Sequence, residues 1–252
     1  MWYQAVDSGR ELWKVKNWDK YSWLTHGFTS RHWGNLALHV EDIADVITER
    51  ERLSQHLGIS LDSWVVGNQI HKANIQRVKP SDKGRGAVDH ASAFCDTDGM
   101  ITGYPGLFLV TFYADCVPLF FVEPKSRIIG IAHAGWRGTA AQIGPAMVNY
   151  FRLAYQADLN HLEVAIGPSI GSCCYQISEQ VAENFSQQSL SCSSDGIYLD
   201  LCLANRLQLI ASGVNANNIF LANQCTYCNN SFFSFRREGK NAGRMAAFIY
   251  RS

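Results

Sequence analysis

Residues 107–138, LFLVTFYADCVPLFFVEPKSRIIGIAHAGWRG, hold three short apolar runs parted by an Ala-Asp-Cys corner and a Pro-Lys-Ser-Arg turn. The runs Leu107–Tyr113, Val117–Val122 and Ile128–Ala132 are rich in Phe, Val and Ile and are bounded by Gly, Pro or charge, so they read as buried strands. Cys116 and His133 therefore stand at strand ends. Upstream, Ile43, Val46, Ile47, Leu53 and Leu57 recur at helical spacing within Glu41–Leu57, and Gly58 is placed to stop that helix. Downstream, Ala140, Ile143, Met147, Tyr150, Phe151 and Ala154 follow the same period, with Pro145 either kinking the helix or sitting in its first turn. The pattern then predicts a strand at Leu162–Ile166, a helix around Ile177–Phe185, and a strand at Ile197–Leu199. A helix capped by Asp200 and closed by Gly213 follows, with strands at Ile219–Leu221 and Met245–Tyr250 to finish. Strands and helices mix without strict alternation, which argues for an α+β sandwich over a doubly wound sheet. Lys79–Gly86 reads as the one long mobile loop. No repeat or Pro/Ser-rich linker divides the chain, so residues 1–252 form a single domain.

At 252 residues and 47% hydrophobic the chain has ample material for a core of its own. Lys plus Arg equals Asp plus Glu at 22 each. That balance, without a run of like charge, leaves no electrostatic footprint for nucleic acid or anionic lipid and favours a small substrate. Arg10, Glu11 and Lys14 interrupt the amino terminus too early for a signal peptide, and the apolar runs are too short to cross a bilayer. Eight cysteines in this length are too few for a disulfide scaffold; with no export signal they read as reduced thiols of a cytoplasmic protein.

Three stretches carry metal-capable side chains beside apolar runs: Gln69-Ile70-His71-Lys72, Ala114-Asp115-Cys116-Val117-Pro118 and His133-Ala134-Gly135-Trp136-Arg137-Gly138. Two imidazoles and a thiolate suit Zn2+ held at three positions with a fourth open, the pattern of catalytic rather than structural zinc. Their separations match no local zinc-binding spacing, so only the fold can unite His71, Cys116 and His133. Taken singly, each has a bland reading as a packed or hydrogen-bonded residue. Gly167-Pro168-Ser169-Ile170-Gly171 fits the G-x-S-x-G nucleophile pattern but has no histidine after it, and reads as a turn. Cys225-Thr226-Tyr227-Cys228 lacks a second C-x-x-C partner, and adjacent Cys173 and Cys174 read as packed thiols.

The chain resembles the multicopper polyphenol oxidoreductase or laccase-domain family, also described as zinc-dependent purine nucleoside phosphorylases and as a peptidoglycan editing factor. The resemblance runs nearly end to end. It is carried by Asn35–Val40, Gln69-Ile70-His71, Asp98–Thr102, Ala114–Pro118, His133–Gly138, Ala165–Pro168 through Cys174-Tyr175, Phe233–Arg237 and Gly243-Arg244-Met245. It implies an α/β/β/α sandwich, zinc on His71, Cys116 and His133, and purine nucleosides and phosphate as substrates, with adenosine deamination as a further activity. Departures include Lys72 and Tyr113, which are expected to reshape the pocket, the segment Ser30–Gly34, and Ala242.

Phosphorolysis would draw on further groups. Arg137, at the start of a helix, can grip phosphate or merely bridge elements. Arg31, Asn35 and Asp98 are candidate substrate-binding residues, while Asp115 can handle a proton or orient a ligand; turn chemistry is their plainer role. Three other readings stand beside this one. The first is a cysteine hydrolase of a cell-wall precursor, with Cys116 as nucleophile and His133 as base. The second is a copper-dependent polyphenol oxidase, although the eight histidines form no His-x-His pair and Cu2+ binding in vitro would follow from intrinsic affinity alone. The third is a noncatalytic, zinc-stabilised binding module.

Overall fold

The computed structural model describes residues 1–7 and 9–252. The three runs quoted above form strands Phe108–Tyr113, Val117–Glu123 and Ile128–Ala134, all buried along their length. The first joins one six-stranded sheet and the other two pair antiparallel in a second. Such continuous burial requires cover on both faces of each sheet. One core lies between the sheets, where Phe28, Leu109 and Tyr113 meet Phe120, Ile129 and Ile131. A second seals the outer face of the first sheet, with Leu53 of the helix Ile43–Leu57 among Trp64, Phe108 and Phe248. A third packs Met147 and Phe151 of Ile143–Tyr155, and Leu209 of Leu201–Ala211, over Leu119 and Phe121 of the second sheet. Helix, sheet, sheet, helix is the α+β, α/β/β/α sandwich with mixed sheets that the sequence and its resemblance imply.

Local chemistry accounts for the element ends. Asp42 caps the first helix through Ala44 N, and Gly58 closes it in the left-handed region at φ +64°. Asp200 accepts from Leu203 N as expected. The helix expected after Gly138 divides in two, Trp136–Ala140 and Ile143–Tyr155, because Gln142 adopts φ +65° between them; Pro145 then falls in the first turn of the second piece, where it removes no helical hydrogen bond. The helix expected over Ile177–Phe185 shrinks to Glu179–Ala182, since Gln176–Ile177 pairs instead with Gly196–Leu199 in a small third sheet. Trp2–Asp7 and Arg10–Val15 form an antiparallel hairpin that periodicity did not reveal.

Lys79–Gly86 is not a free loop in this structure. It holds a 3-10 turn at Pro80–Asp82, and Gly84 N donates to Trp64 O at 3.0 Å. Arg50, 1% exposed, reaches the same segment, donating to Gly86 O and Ala87 O at 2.7 Å each and to Leu36 O at 2.8 Å. Its guanidinium lies over the Trp64 and Phe112 rings, and burial without a carboxylate partner lowers its pKa to about 9. No helix among the described residues is long and apolar enough to cross a membrane.

His26, 4% exposed, accepts from Val15 N at 2.8 Å and meets Trp18 edge-on. Burial, then the charge of Lys14, lowers its pKa to about 3. Below the ordinary histidine value of 6.5 the unfolded chain gains a proton that the folded chain refuses. The stability held above that pH is therefore lost as pH falls, by roughly 1.4 kcal/mol per unit from this residue. Urea unfolding at pH 7 and pH 5 should show the native chain losing about 2 kcal/mol more than a His26→Gln variant over that interval; equal losses would refute the assignment.

Candidate metal centre

The site is assembled around Asp98, which is fully buried and immediately precedes the strand Gly99–Thr102. Its carboxylate accepts from the backbone N–H groups of Ile70, His71 and Lys72 at 3.2, 2.9 and 2.9 Å. These three donors can converge only because the chain turns sharply at His71, whose φ is +61°. The same carboxylate lies 2.9 Å from His133 Nδ1, and Asp98 O accepts from His133 N at 2.7 Å. One carboxylate thus holds both imidazole-bearing segments. Gln69 fixes the approach to the turn: its side-chain amide donates to Phe112 O and accepts from Phe112 N, pairing as a strand residue would.

Cys116 reaches the site through sheet register. It precedes the strand Val117–Glu123, in which Val117 pairs with Ala134 and Pro118 with His133. The ligand atoms of His71, Cys116 and His133 all lie within 4.8 Å of one another, with the two imidazole rings nearly perpendicular at 82° and centroids 4.7 Å apart. Gly135 passes so close that a Cβ there would stand 2.9 Å from Cys116 Sγ and 3.0 Å from His71 Cδ2. Only glycine leaves that space open.

Electrostatics favour a charged ligand set. Burial works to raise the Asp98 pKa, but the hydrogen bond and charge of His133, then the Lys72 and Ile70 N–H groups, hold it below the usual range. Burial likewise opposes ionisation of Cys116, yet the charge of His133 and hydrogen bonds from His133 and His71 bring the thiol down to about 6. For His133 burial pulls the other way, and Cys116 and Asp98 raise it to about 9. Both shifts run in the direction of a thiolate facing an imidazolium. A soft divalent cation can replace the shared proton, and the Asp98 contact on Nδ1 leaves Nε2 free to ligate. Two nitrogens and one sulfur suit zinc or copper.

The trio opens into a cavity of about 670 Å³, also lined by Arg137, Asp115, Tyr175, Phe235, Arg236 and Arg244 among others. That volume lies within the roughly 300–1,000 Å³ typical of small-molecule sites. Among the described residues none of the guanidiniums of Arg137, Arg236 and Arg244 pairs with a carboxylate, and Arg50, also in the lining, is held by backbone carbonyls. Arg137 instead lies 4.2 Å over the Trp136 ring. Its helix, Trp136–Ala140, is only five residues long, so little helix dipole reaches a bound anion and the side-chain charge dominates. Asp115 lines the cavity at φ +87°. Its oxygens accept from Thr226 Oγ1 at 2.6 Å, Ser234 Oγ at 3.0 Å and Arg236 N at 2.7 Å, which ties down the chain that carries Arg236.

Three residues proposed for substrate contact lie elsewhere. Asp98 sits behind the ligands with no exposed surface. Asn35, 3% exposed, exchanges hydrogen bonds with Ala37 and accepts from Arg244 N at 2.9 Å, so it shapes the approach of Arg244 from behind. Arg31 pairs with Glu238 at 3.0 Å and covers the Phe233 ring, outside the cavity lining. Lys72 and Tyr113 also fall outside the lining; Tyr113 is buried and donates to Ala132 O. Sequence reasoning gave no role to Arg236, Arg244, His39 or His90, all of which line the cavity. For Arg236, Arg244 and His39 the only signal was placement within the motifs that carry the resemblance; His90 lies in none of them.

Comparison with known proteins adds to the geometry. Residues 25–252 match the family described as multi-copper polyphenol oxidoreductase laccase. The sequence is 41% identical over 244 residues to "Purine nucleoside phosphorylase YlmD" of Geobacillus stearothermophilus, covering 89% of each chain. It is 32% identical over 227 residues to "Adenosine deaminase RL5" from an unknown prokaryotic organism, covering 86% of each. The crystal structure of YlmD from Geobacillus stearothermophilus superposes with a TM-score of 0.93 at 38% identity, covering 99% of this chain and 98% of that one.

The Asp98 carboxylate makes a direct prediction. Asp98→Asn places an amide N–H among donors that need an acceptor and removes the charge behind His133. Metal affinity should fall about 10- to 100-fold in competition with a chromogenic chelator; an unchanged affinity would mean that Asp98 does not orient the ligands.

Proposed function

The chain belongs to the multi-copper polyphenol oxidoreductase laccase family, and from that premise we propose that it is a zinc-dependent purine nucleoside phosphorylase. It would convert adenosine or inosine with phosphate to free base and ribose-1-phosphate, and methylthioadenosine, as a further candidate, to adenine and 5-methylthioribose-1-phosphate. The observation that carries this reading is the shared cavity: a two-imidazole, one-thiolate centre opens beside the guanidiniums of Arg137, Arg236 and Arg244, which among the described residues pair with no carboxylate. His71, Cys116 and His133 would hold the metal, and zinc so held would supply Lewis acidity toward an oxygen of the bound reactants.

The chain's own residues account for the rest. Arg137, Arg236 and Arg244 gather the phosphate monoanion or dianion, since a guanidinium fork matches phosphate oxygens in two places. Arg236 is aimed by the Asp115 tie on its backbone and by its own donation to Gln176 O at 3.0 Å. Phe112, Trp136, Tyr175 and Phe235 give the cavity aromatic walls on which a purine can stack while water is excluded. Adenosine deamination by the same site is a second reading, supported by the relative that carries that name; water would then take the place of phosphate. Eight free thiols suit a reducing, cytoplasmic setting. The thiolate–imidazolium pair of Cys116 and His133 also fits a cysteine hydrolase, but that chemistry has no use for His71 or the arginines.

Incubation with adenosine and inosine, with and without phosphate, separates these readings. Ribose-1-phosphate should form only with phosphate, inosine alone from adenosine would mark deamination, and hydrolysis indifferent to both phosphate and chelator would sink the proposal. Arg137→Ala should raise KM for phosphate roughly tenfold to a hundredfold, the scale of a lost charge-assisted hydrogen bond. Cys116→Ala should leave a folded protein that has lost turnover and one equivalent of zinc by elemental analysis; retained turnover would remove the thiolate from the site.

A further inference from the structure

A second cluster of soft ligands lies outside the trio. Cys173, Cys174, Cys225 and Cys228 bring four sulfurs together, all within 4.8 Å of one another. The topology explains the meeting. Strands Glu163–Ile166 and Ile219–Leu221 are parallel neighbours, so both chains leave the same end of the sheet side by side. The pairing continues beyond the strands: Ser169 N donates to Gln224 O and Thr226 N to Ser169 O, at 3.1 and 3.0 Å. A turn after Gly171 then presents Cys173 and Cys174, while the C-x-x-C turn presents Cys225 and Cys228.

We propose that these four cysteines form a second zinc site, a closed four-thiolate centre with a structural role. A tetrahedral ion bound at about 2.3 Å by four sulfurs sets them about 3.8 Å apart. Cys173 Sγ and Cys228 Sγ are 3.7 Å apart, and Cys174 Sγ lies 3.3 Å from Cys228 Sγ, so ligation needs only small adjustments. All four are free thiols. Gly171 N donates to Cys225 Sγ at 3.2 Å, and the N–H groups of Tyr227 and Cys228 also face that sulfur. Backbone donors of this kind stabilise a thiolate within a tight C-x-x-C turn. The partner pair that such a site needs is not a second C-x-x-C; it is the adjacent pair Cys173-Cys174, which is why spacing alone pointed to packed thiols. Binding Zn2+ releases four protons and leaves four thiolates on the ion. No position remains for substrate, so the ion braces rather than reacts.

What it braces is the wall of the cavity. Ile170 and Tyr175 flank one pair, and both line the cavity. Thr226, between the other two cysteines, donates to Asp115 Oδ1. Arg236 donates to Cys174 O at 3.4 Å and to Gln176 O. Loss of the ion would loosen Arg236 and the Asp115 ties while leaving His71, Cys116 and His133 in place.

The test is metal stoichiometry on the full chain purified under reductant. Two zinc equivalents are expected in the native protein, one in Cys225→Ser/Cys228→Ser, and one in His71→Ala/Cys116→Ala. With cobalt in that last variant, thiolate-to-metal charge transfer should persist, because its remaining ligands are all sulfur. Should the Cys225→Ser/Cys228→Ser variant fail to fold, the native protein still decides. Alkylation mapped by mass spectrometry should spare Cys173, Cys174, Cys225 and Cys228 until a chelator is added. Equal reactivity before and after chelation, a disulfide among the four, or undiminished zinc in the folded variant would overturn the proposal. Zinc on this cluster without phosphorolysis would sink only the preceding function, and phosphorolysis with a single zinc would sink only this one.

Discussion

A single buried carboxylate organises the centre. Asp98 takes hydrogen bonds from three consecutive backbone N–H groups and from one imidazole. A charge with no exposed surface is stable only when its acceptor sites are used, and here they are used by the two segments that must be brought together. Satisfying Asp98 and positioning His71 against His133 are therefore one structural event. The positive φ at His71 is the conformational strain that this convergence requires.

The rest of the architecture delivers partners to that point. Strand register carries Cys116 to His133, because Val117–Glu123 and Ile128–Ala134 pair with Pro118 opposite His133. Close approach at Gly135 keeps the space between Cys116 and His71 open. Asp115, in a left-handed conformation, turns inward and holds three donors from the chain after residue 225. The cavity wall is thus built from loops tied to each other by buried polar contacts rather than by packing alone. On the far side, Arg50 fills a similar role, its charge taken up by three carbonyl oxygens.

The family's name and the chemistry of this chain point in different directions. Several copper ions would call for several histidine-rich sites, whereas the described residues gather one mixed nitrogen and sulfur trio and one cluster of four thiols. The trio keeps one side open toward a cavity with unpaired cations, and the thiol cluster offers four ligands of one kind. One arrangement suits a reacting centre and the other a brace.

Much of this was legible locally. The strands of residues 107–134, the Asp42 and Asp200 caps and the Gly58 stop follow from periodicity and capping, which act over a few residues. Donor chemistry offered His71, Cys116 and His133 as a soft ligand set, and the resemblance put zinc on them. The helix expected at Ile177–Phe185 was lost to a strand pairing from twenty residues further on, and the hairpin Trp2–Val15 was hidden because its aromatic and charged residues do not alternate cleanly. Arg31 and Asn35 carried the right chemistry but point to Glu238 and Arg244 instead of the cavity, while Arg236 and Arg244 reach it from more than a hundred residues beyond Cys116. Side-chain chemistry by itself determined what this protein can ligate. Only the tertiary structure decided which groups share a site, because convergence across such separations is set by sheet register and buried hydrogen bonds between distant segments.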